Sequence, residues 1–251
     1  MKDDMIYGRN PVIEAFNAGN TVIDKIMLQE GLHHAQIKEI LRLAKTSGVM
    51  YRFVDRHKLD ALSEGENHQG VIAMIASHHY AEVSDILKAA EAKGQPPFVV
   101  ITDGITDPHN LGSIIRTANA AGAHGVIIPK NRNVSLNATV AKVSAGAVEY
   151  MPVARVTNLA QALEKLKKAG LWIIGTDLGG TQTHTECSLT GALGIVIGSE
   201  GEGMSRLVRE SCDFLVKIPM IGEIESLNAS VAAGVLLYEA VRQKQQKGEL
   251  A

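Results

Sequence analysis

Cysteine is nearly absent from this sequence. Cys187 and Cys212 are the two among 251 residues, without a CxxC pair or a histidine cluster at metal-ligand spacing. A disulfide framework and a zinc site are therefore not indicated, no metal is expected, and each thiol reads as a small buried hydrophobe. Nor does any run of 18 consecutive apolar residues occur, so no membrane partner is expected. The opening MKDDMIYGRNPVIEAF carries acids where a signal peptide would be apolar, and a cytoplasmic location is the expectation. A dominant charge is missing too. With a formal net charge of −2, the chain does not fit a protein that grips nucleic acid by bulk electrostatics. It still fits one that reads RNA by shape and base contacts. Internal repeats and low-complexity segments are absent.

What remains is ordinary for a soluble α/β protein: 45% hydrophobic and 21% charged residues. The length favours two domains, with one large domain as the alternative. The most linker-like stretch is residues 76–97, ending in Gly94, Pro96 and Pro97 before a strongly apolar run, which gives a small domain over 1–75 and a larger one over 98–251. In the small domain, NPVIEAFNAG predicts a helix with Asn10 as N-cap, Pro11 in its first turn and Gly19 near its end. TVIDKIMLQ, MYRFVD and GVIAMIA predict strands, and HAQIKEILRLAKTSG a helix closed by Gly48. In the larger domain FVVIT, GVIIP, LWIIGT, LGIVIG and FLVKIP are apolar runs without polar alternation. Separated by helical patterns, they predict a mainly parallel sheet covered on both faces. The last helix is expected to carry Leu227, Val231, Val235 and Tyr238 on one apolar stripe.

Three segments carry candidate chemistry. In DGITDPHNLGSIIRTANAAG, a strand end runs through a turn into a helix that Asn110 is placed to cap, with Arg116 nearly two turns on. In IVIGSEGEGM, a buried strand enters a loop with three glycines in six residues, where backbone can approach a ligand closely. That loop fits neither GxGxxG nor GxxxxGK[ST], which disfavours a nucleotide-dependent oxidoreductase. Glu200 and Glu202 would repel phosphate and favour a cationic or neutral ligand. In KIPMIGEIESLNASVAAG, Ser226 reads as the cap of a helix whose alanines allow close packing. Each segment also reads as plain structure: a capped helix, a strand-to-helix loop, a capped helix.

In this order and spacing, the three segments closely resemble the motifs of the SpoU/TrmH branch of the SPOUT methyltransferases, over residues 98 to about 245. GRNPVIEAF and HQGVIA upstream resemble that branch's RNA substrate-binding domain, so the whole chain is similar to its RlmB-type subgroup. The resemblance implies a catalytic domain with a trefoil knot, an exception to the rule against threaded chains, and an L30e-like N-terminal RNA-binding domain. It implies transfer of a methyl group from S-adenosylmethionine to a ribose 2′-oxygen, that of a guanosine in 23S ribosomal RNA, by a homodimer. Gly198, Ile218 and Leu227, with Thr176 and Met220, would contact the cofactor. Arg116 would hold the key catalytic role, with Asn110, Glu200, Ser226 and Asn228 arranging the ribose. Because arginine stays protonated in proteins, Arg116 is expected to bind RNA phosphate and stabilise the developing alkoxide rather than act as a free base. Arg9, Asn10, His68 and Gln69 are the RNA-contact candidates of the small domain, each also explicable as a cap or a solvated residue. The competing readings are a transfer-RNA or antibiotic-resistance 2′-O-methyltransferase and a non-catalytic RNA-binding assembly factor.

Overall fold

Short apolar runs alternating with amphipathic helices build two units in the computed structural model, which describes residues 5–18, 22–75 and 79–249. One unit holds residues 1–79 with 135–138, the other 80–134 with 139–251.

The described residues of the smaller unit form β1 (Met5–Tyr7), α1 (Arg9–Ala18), β2 (Ile23–Gln29), α2 (Ala35–Thr46), β3 (Met50–Val54), α3 (Arg56–Ser63) and β4 (Val71–Ile75). The sheet order is β1-β4-β2-β3, with β2 and β3 parallel and the other pairs antiparallel. Val12 and Ala15 of α1 and Ile37, Ile40 and Ala44 of α2 bury against Ile26, Leu28, Val71 and Ala73. Leu59 of α3 covers Met27 and Ile72, the alternate residues on the other face. Asn10 is not the cap expected of it. The helix starts at Arg9, just after Gly8 takes a left-handed φ of 94°, and Asn10 Oδ1 instead accepts from Gln36 Nε2 at 2.5 Å. Gly19 and Thr21, the expected helix end and strand start, lie outside the described residues.

The larger unit holds α4 (Val83–Ala92), β5 (Phe98–Asp103), α5 (Pro108–Ala120), β6 (Gly125–Pro129), α6 (Ala138–Val143), β7 (Val153–Val156), α7 (Leu159–Lys168), β8 (Trp172–Thr176), β9 (Gln182–Thr183), β10 (Leu193–Gly198), α8 (Arg206–Ser211), β11 (Phe214–Lys217) and α9 (Ala229–Gln246). Its seven strands run in the order β7-β6-β5-β10-β8-β11-β9, every pairing parallel. All six residues of β5 are buried, as the unbroken apolar runs require of a sheet covered on both sides. Val99, Ile101 and Val196 pack with Ile86 of α4, Leu163 and Leu166 of α7 and Val208 of α8. The helices α5 and α9 pack against each other, and α9 against β10.

Several local expectations are corrected. The segment 76–97 is more than a linker: Val83, Ile86, Leu87 and Ala90 recur at helical spacing, and Ile86 and Ala90 are fully buried. Asn110 does not cap α5. Asp107 does, accepting from the His109 N–H at 2.9 Å, because Asp followed by Pro at the first helical position is the stronger start signal. Ser226 does not cap α9. Asn228 does, taking the N–H groups of Ser230 and Val231 at 3.0 and 3.3 Å. The expected stripe on α9 is not its packed face either: Val231 and Tyr238 are 50% and 53% exposed. The packed face carries Ala229, Ala233, Leu236, Leu237 and Ala240, and a Cβ on Gly234 would lie at ordinary van der Waals distance, 4.0 Å, from Thr117 of α5.

Candidate active site

Parallel pairing brings the carboxyl ends of β5, β10, β8 and β11 together: Gly198 lies opposite Asp103, and Val216 opposite Thr176. In open parallel sheets this is the edge where ligands bind. A cavity of about 310 Å³ opens there, lined by Thr176, Gly198, Ile218, Met220 and Leu227, with Glu200 and Ser226 beside them. All five residues expected to contact the cofactor thus share one cavity, although Thr176 and Leu227 are 51 positions apart.

Two of the three glycines of GSEGEG, Gly198 and Gly203, serve the loop's own fold. The segment doubles back, with the Ser199 N–H donating to Gly203 O at 3.0 Å and the Gly203 N–H donating to Ser199 O at 3.1 Å. A Cβ on Gly198 would lie 2.5 Å from Gly203 C and Met204 N. Gly203 itself takes a φ of 66°, a region open mainly to glycine. Asp103 anchors the loop's far end, its Oδ2 accepting from the Ser205 N–H at 2.7 Å. Sequence reasoning did not single out Asp103, though a buried carboxylate ending a mostly apolar, fully buried strand signals a backbone-binding role.

Glu200 ties the three motif segments together. One of its oxygens, Oε1, accepts from Asn110 Nδ2 at 2.8 Å, from Asn228 Nδ2 at 2.6 Å and from the Ala229 N–H at 3.3 Å. Asn228 Nδ2 also donates to Asn110 Oδ1 at 2.9 Å. The second carboxylate oxygen has no hydrogen-bond partner among the described residues. Arg116 stands apart. It is exposed on α5, does not line the cavity, and makes no hydrogen bond or ion pair among the described residues. Above the loop, Arg132 pairs with Glu202 at 2.6 Å. Below it, burial and the neighbouring Asp213 push the Cys212 thiol up to about 12, which makes it an inert packing group.

Within the smaller unit, GRN and HQG meet although 60 residues separate them. The Arg9 backbone N–H donates to Gln69 Oε1 at 3.3 Å, and Arg9 Nε donates to Gln69 O at 3.0 Å. His68 is buried, and both ring nitrogens are taken: Nδ1 accepts from the Gly70 N–H at 2.9 Å, and Nε2 pairs with Asp60 Oδ1 at 2.8 Å. Both bonds hold the shape of the loop around His68. Asn10 sits away from this junction, bonded to Gln36.

Comparison with known proteins decides the family. The pattern described as the SpoU rRNA Methylase family matches residues 97–238, and that described as RNA 2′-O ribose methyltransferase substrate binding matches residues 5–81. The chain belongs to the SpoU rRNA methylase family. Across 246 residues, 98% of each chain, it is 49% identical to YacO of Bacillus subtilis (strain 168), a protein named for the TrmH family of tRNA/rRNA methyltransferases. Its fold is similar to that of the SpoU methyltransferase AviRb from Streptomyces viridochromogenes, solved with the cofactor AdoMet. That likeness has a TM-score of 0.61 at 26% identity, covering 96% of this chain and 90% of AviRb. A TrmH/SpoU tRNA modifying enzyme of A. aeolicus matches with a TM-score of 0.57 at 31% identity, over 62% of this chain and 79% of its own. The family assignment makes the chain an RNA methyltransferase. It also makes the strand-end cavity, with its Asn110–Glu200–Asn228 cluster, the place to seek the chemistry.

Proposed function

We propose that this chain methylates a ribose 2′-oxygen of RNA with S-adenosylmethionine, and that its substrate is a guanosine of large-subunit (23S) ribosomal RNA. The observation that carries the reading is the convergence of Asn110 and Asn228 on Glu200, which lines the same cavity as Gly198, Ile218 and Leu227. The cavity fits the cofactor by its chemistry. Ile197, Ile218, Met220 and Leu227 offer an apolar wall for a purine, while Glu200 offers a carboxylate to a cationic sulfonium, the neighbouring Glu202 and Asp177 being paired with Arg132 and Arg209. When bound, the cofactor supplies an electrophilic methyl group. Placement in the deep trefoil knot of the wider class belongs to the same reading.

The protein's own part is alignment and charge. Holding the 2′-hydroxyl in line can contribute roughly 7 to 11 kcal/mol in favourable cases. The unpartnered Glu200 oxygen is placed to accept the hydroxyl hydrogen, and Asn110 and Asn228 keep that carboxylate from turning away. Ser226, also on the cavity wall, helps seat the ribose. Arg116 binds the adjoining RNA phosphate and stabilises negative charge on the oxygen, whose proton leaves to phosphate or solvent. Because Arg116 does not line the cavity of its own chain, the reading includes a homodimer in which the arginine acts across the interface. The exposed Val231 and Tyr238 on α9 and the 94%-exposed Ile221 supply apolar surface for such a contact. In the smaller unit, Arg9 and Gln69 belong to the RNA-binding surface, and Asn10 is a weaker member of it.

A second substrate, transfer RNA, is favoured by the likeness to the A. aeolicus enzyme. Tritiated methyl transfer into unmodified ribosomal RNA and into unmodified transfer RNA, followed by nucleoside mass spectrometry, separates the two. The proposal expects 2′-O-methylguanosine in ribosomal RNA. Label in transfer RNA alone, or on a base, overturns it.

A further inference from the structure

The smaller unit contains a second cavity, of about 430 Å³, lined by Arg9, Gln29, Arg56, Glu66 and Asn67 over the apolar floor of Leu32. Its volume falls within the range of small-molecule sites. The rim loop is built rather than slack. Backbone φ is left-handed at Glu64, Gly65, Gln69 and Gly70, a strained conformation for Glu64 and Gln69 that surrounding bonds must sustain. Those bonds are present: His68 grips the Gly70 N–H and Asp60, and Arg9 grips Gln69 through its backbone and its Nε. Gly70 takes a φ of 78°, where any side chain would be strained.

Beside His68, whose ring nitrogens are both engaged, further polar groups line the cavity. Gln29, Glu66 and Asn67 make no side-chain hydrogen bond among the described residues. The Arg56 guanidinium is 71% exposed, tied only loosely to Asp60 at 3.6 Å. Two amides and a carboxylate offer donors and acceptors side by side, as a nucleobase edge requires. Guanidinium groups at the mouth offer a plane for stacking and a partner for phosphate. A bare anion is disfavoured by Asp60 and Glu66 in the same wall, and a purely apolar ligand by the polar lining.

We infer that this cavity receives one unstacked nucleotide of the RNA, its base read by Gln29, Glu66 and Asn67 and its phosphate met by Arg56. The smaller unit then selects the RNA by a base flipped out of a loop, at a site separate from the one that transfers methyl groups. That the ligand is RNA rests on the function proposed above.

Full-length ¹⁵N-labelled protein titrated with GMP, AMP, CMP, UMP and inorganic phosphate tests the cavity without any methyl transfer. At least one nucleotide is expected to shift the amides of Gly65, Asn67 and Gly70 where inorganic phosphate does not, and Asn67→Ala to weaken that binding about fivefold or more. Shifts confined to the larger unit, or reproduced by phosphate alone, overturn the inference. In methyl-transfer assays, Asn67→Ala and Arg56→Ala are expected to raise the KM for RNA about tenfold. Their kcat should stay within about twofold, with cofactor affinity and thermal midpoint unchanged. An unaltered KM counts against the pocket. A wild-type protein that transfers no methyl group to RNA would overturn the proposed function, while the titration still decides on the cavity.

Discussion

Both units gather sequence-distant polar residues, and they use them differently. In the larger unit, the Asn110–Glu200–Asn228 bonds fix side chains yet leave one Glu200 oxygen unpartnered among the described residues, beside an open cavity. In the smaller unit, Arg9 bonds Gln69 across the GRN–HQG junction, and both ring nitrogens of His68 are engaged, by Asp60 and by the Gly70 N–H. Hydrogen bonds thus leave an unpartnered carboxylate oxygen in the first cluster and occupy both ring nitrogens of His68 in the second. The difference teaches that spare hydrogen-bonding capacity, counted atom by atom, separates a site from a scaffold.

The largest expected effects break this contrast at its centre. Glu200→Ala and Arg116→Ala should each lower kcat about 100- to 1,000-fold, the usual cost of losing a group that stabilises developing charge. Arg116→Lys should not recover it, since the planar fork is gone. Only Glu200→Ala should also lower the thermal midpoint, because it strands Asn110 and the Ala229 N–H, whereas Arg116 has no partner to lose. Mixing the two inactive variants sharpens the point. If Arg116 acts across a twofold interface, refolded mixtures should regain about a quarter of wild-type activity, since half the dimers are mixed and each has one intact site. No recovery from a mixture shown to contain mixed dimers would place Arg116 in its own chain's site or outside catalysis.

A smaller loss is expected on the cofactor side. Gly198→Ala puts a methyl group against the backbone of Gly203 and Met204, so the loop must open. Cofactor binding measured by calorimetry should weaken by about tenfold or more, the equivalent of ~1.4 kcal/mol, while the smaller unit's amide spectrum stays unchanged. Retained affinity would mean that the cavity wall does not depend on the doubled-back loop.

How much of this was legible in the sequence follows from what each signal encodes. The parallel sheet was legible because both-face burial leaves unbroken apolar runs, and all five such runs became strands. The short β1, β7 and β9 were not, since two to four residues carry no periodicity. The helix α4 hid inside a segment whose glycine and prolines drew the eye, although its buried Ile86 and Ala90 repeat at helical spacing. Caps were the weakest readings. Asn10, Asn110 and Ser226 are all good capping types, but the helices start at neighbours instead, because Asp107 sits before Pro108 and Asn228 is held in place by Glu200. That failure was informative: an asparagine relieved of capping, as Asn110 is, has its amide available for tertiary use. The cavity residues were reached through family resemblance, as no local pattern links Thr176 to Leu227.

Stability variants test the scaffold side. Asn228→Ala removes a cap that holds two N–H groups and should cost about 1 to 2 kcal/mol, along with activity. His68→Ala leaves the Gly70 N–H unsatisfied in a buried position, a cost of about 1 to 3 kcal/mol. It should spare cofactor binding entirely. Equal damage to cofactor affinity from both would dissolve the distinction between site and scaffold.

The smallest effect separates two buried histidines. His124 resembles His68 in accepting a backbone N–H at Nδ1, here that of Phe98 at 3.0 Å, so its Nε2 carries the proton toward Gln95 Oε1 at 3.1 Å. Its surroundings differ. Where His68 meets Asp60, His124 is buried near Lys93 and Lys244, and burial first, then the two lysines, hold its pKa below the ordinary 6.5. Lys244 is itself drawn toward Glu249 at 3.4 Å. A depressed folded-state value means that the neutral ring's contribution is intact above the unfolded pKa. It is lost as pH falls from there through the folded value, because the unfolded chain takes up the proton first. Asp60 responds only at lower pH, since the His68 hydrogen bond holds its carboxyl below 3.8. Between about pH 7 and pH 5, amide protection at Phe98 and Val99 in β5 should therefore fall before protection at Val71 and Ile72 in β4, and His124→Asn should flatten the slope. The same decline in both strands would show that the titration is global rather than local to His124.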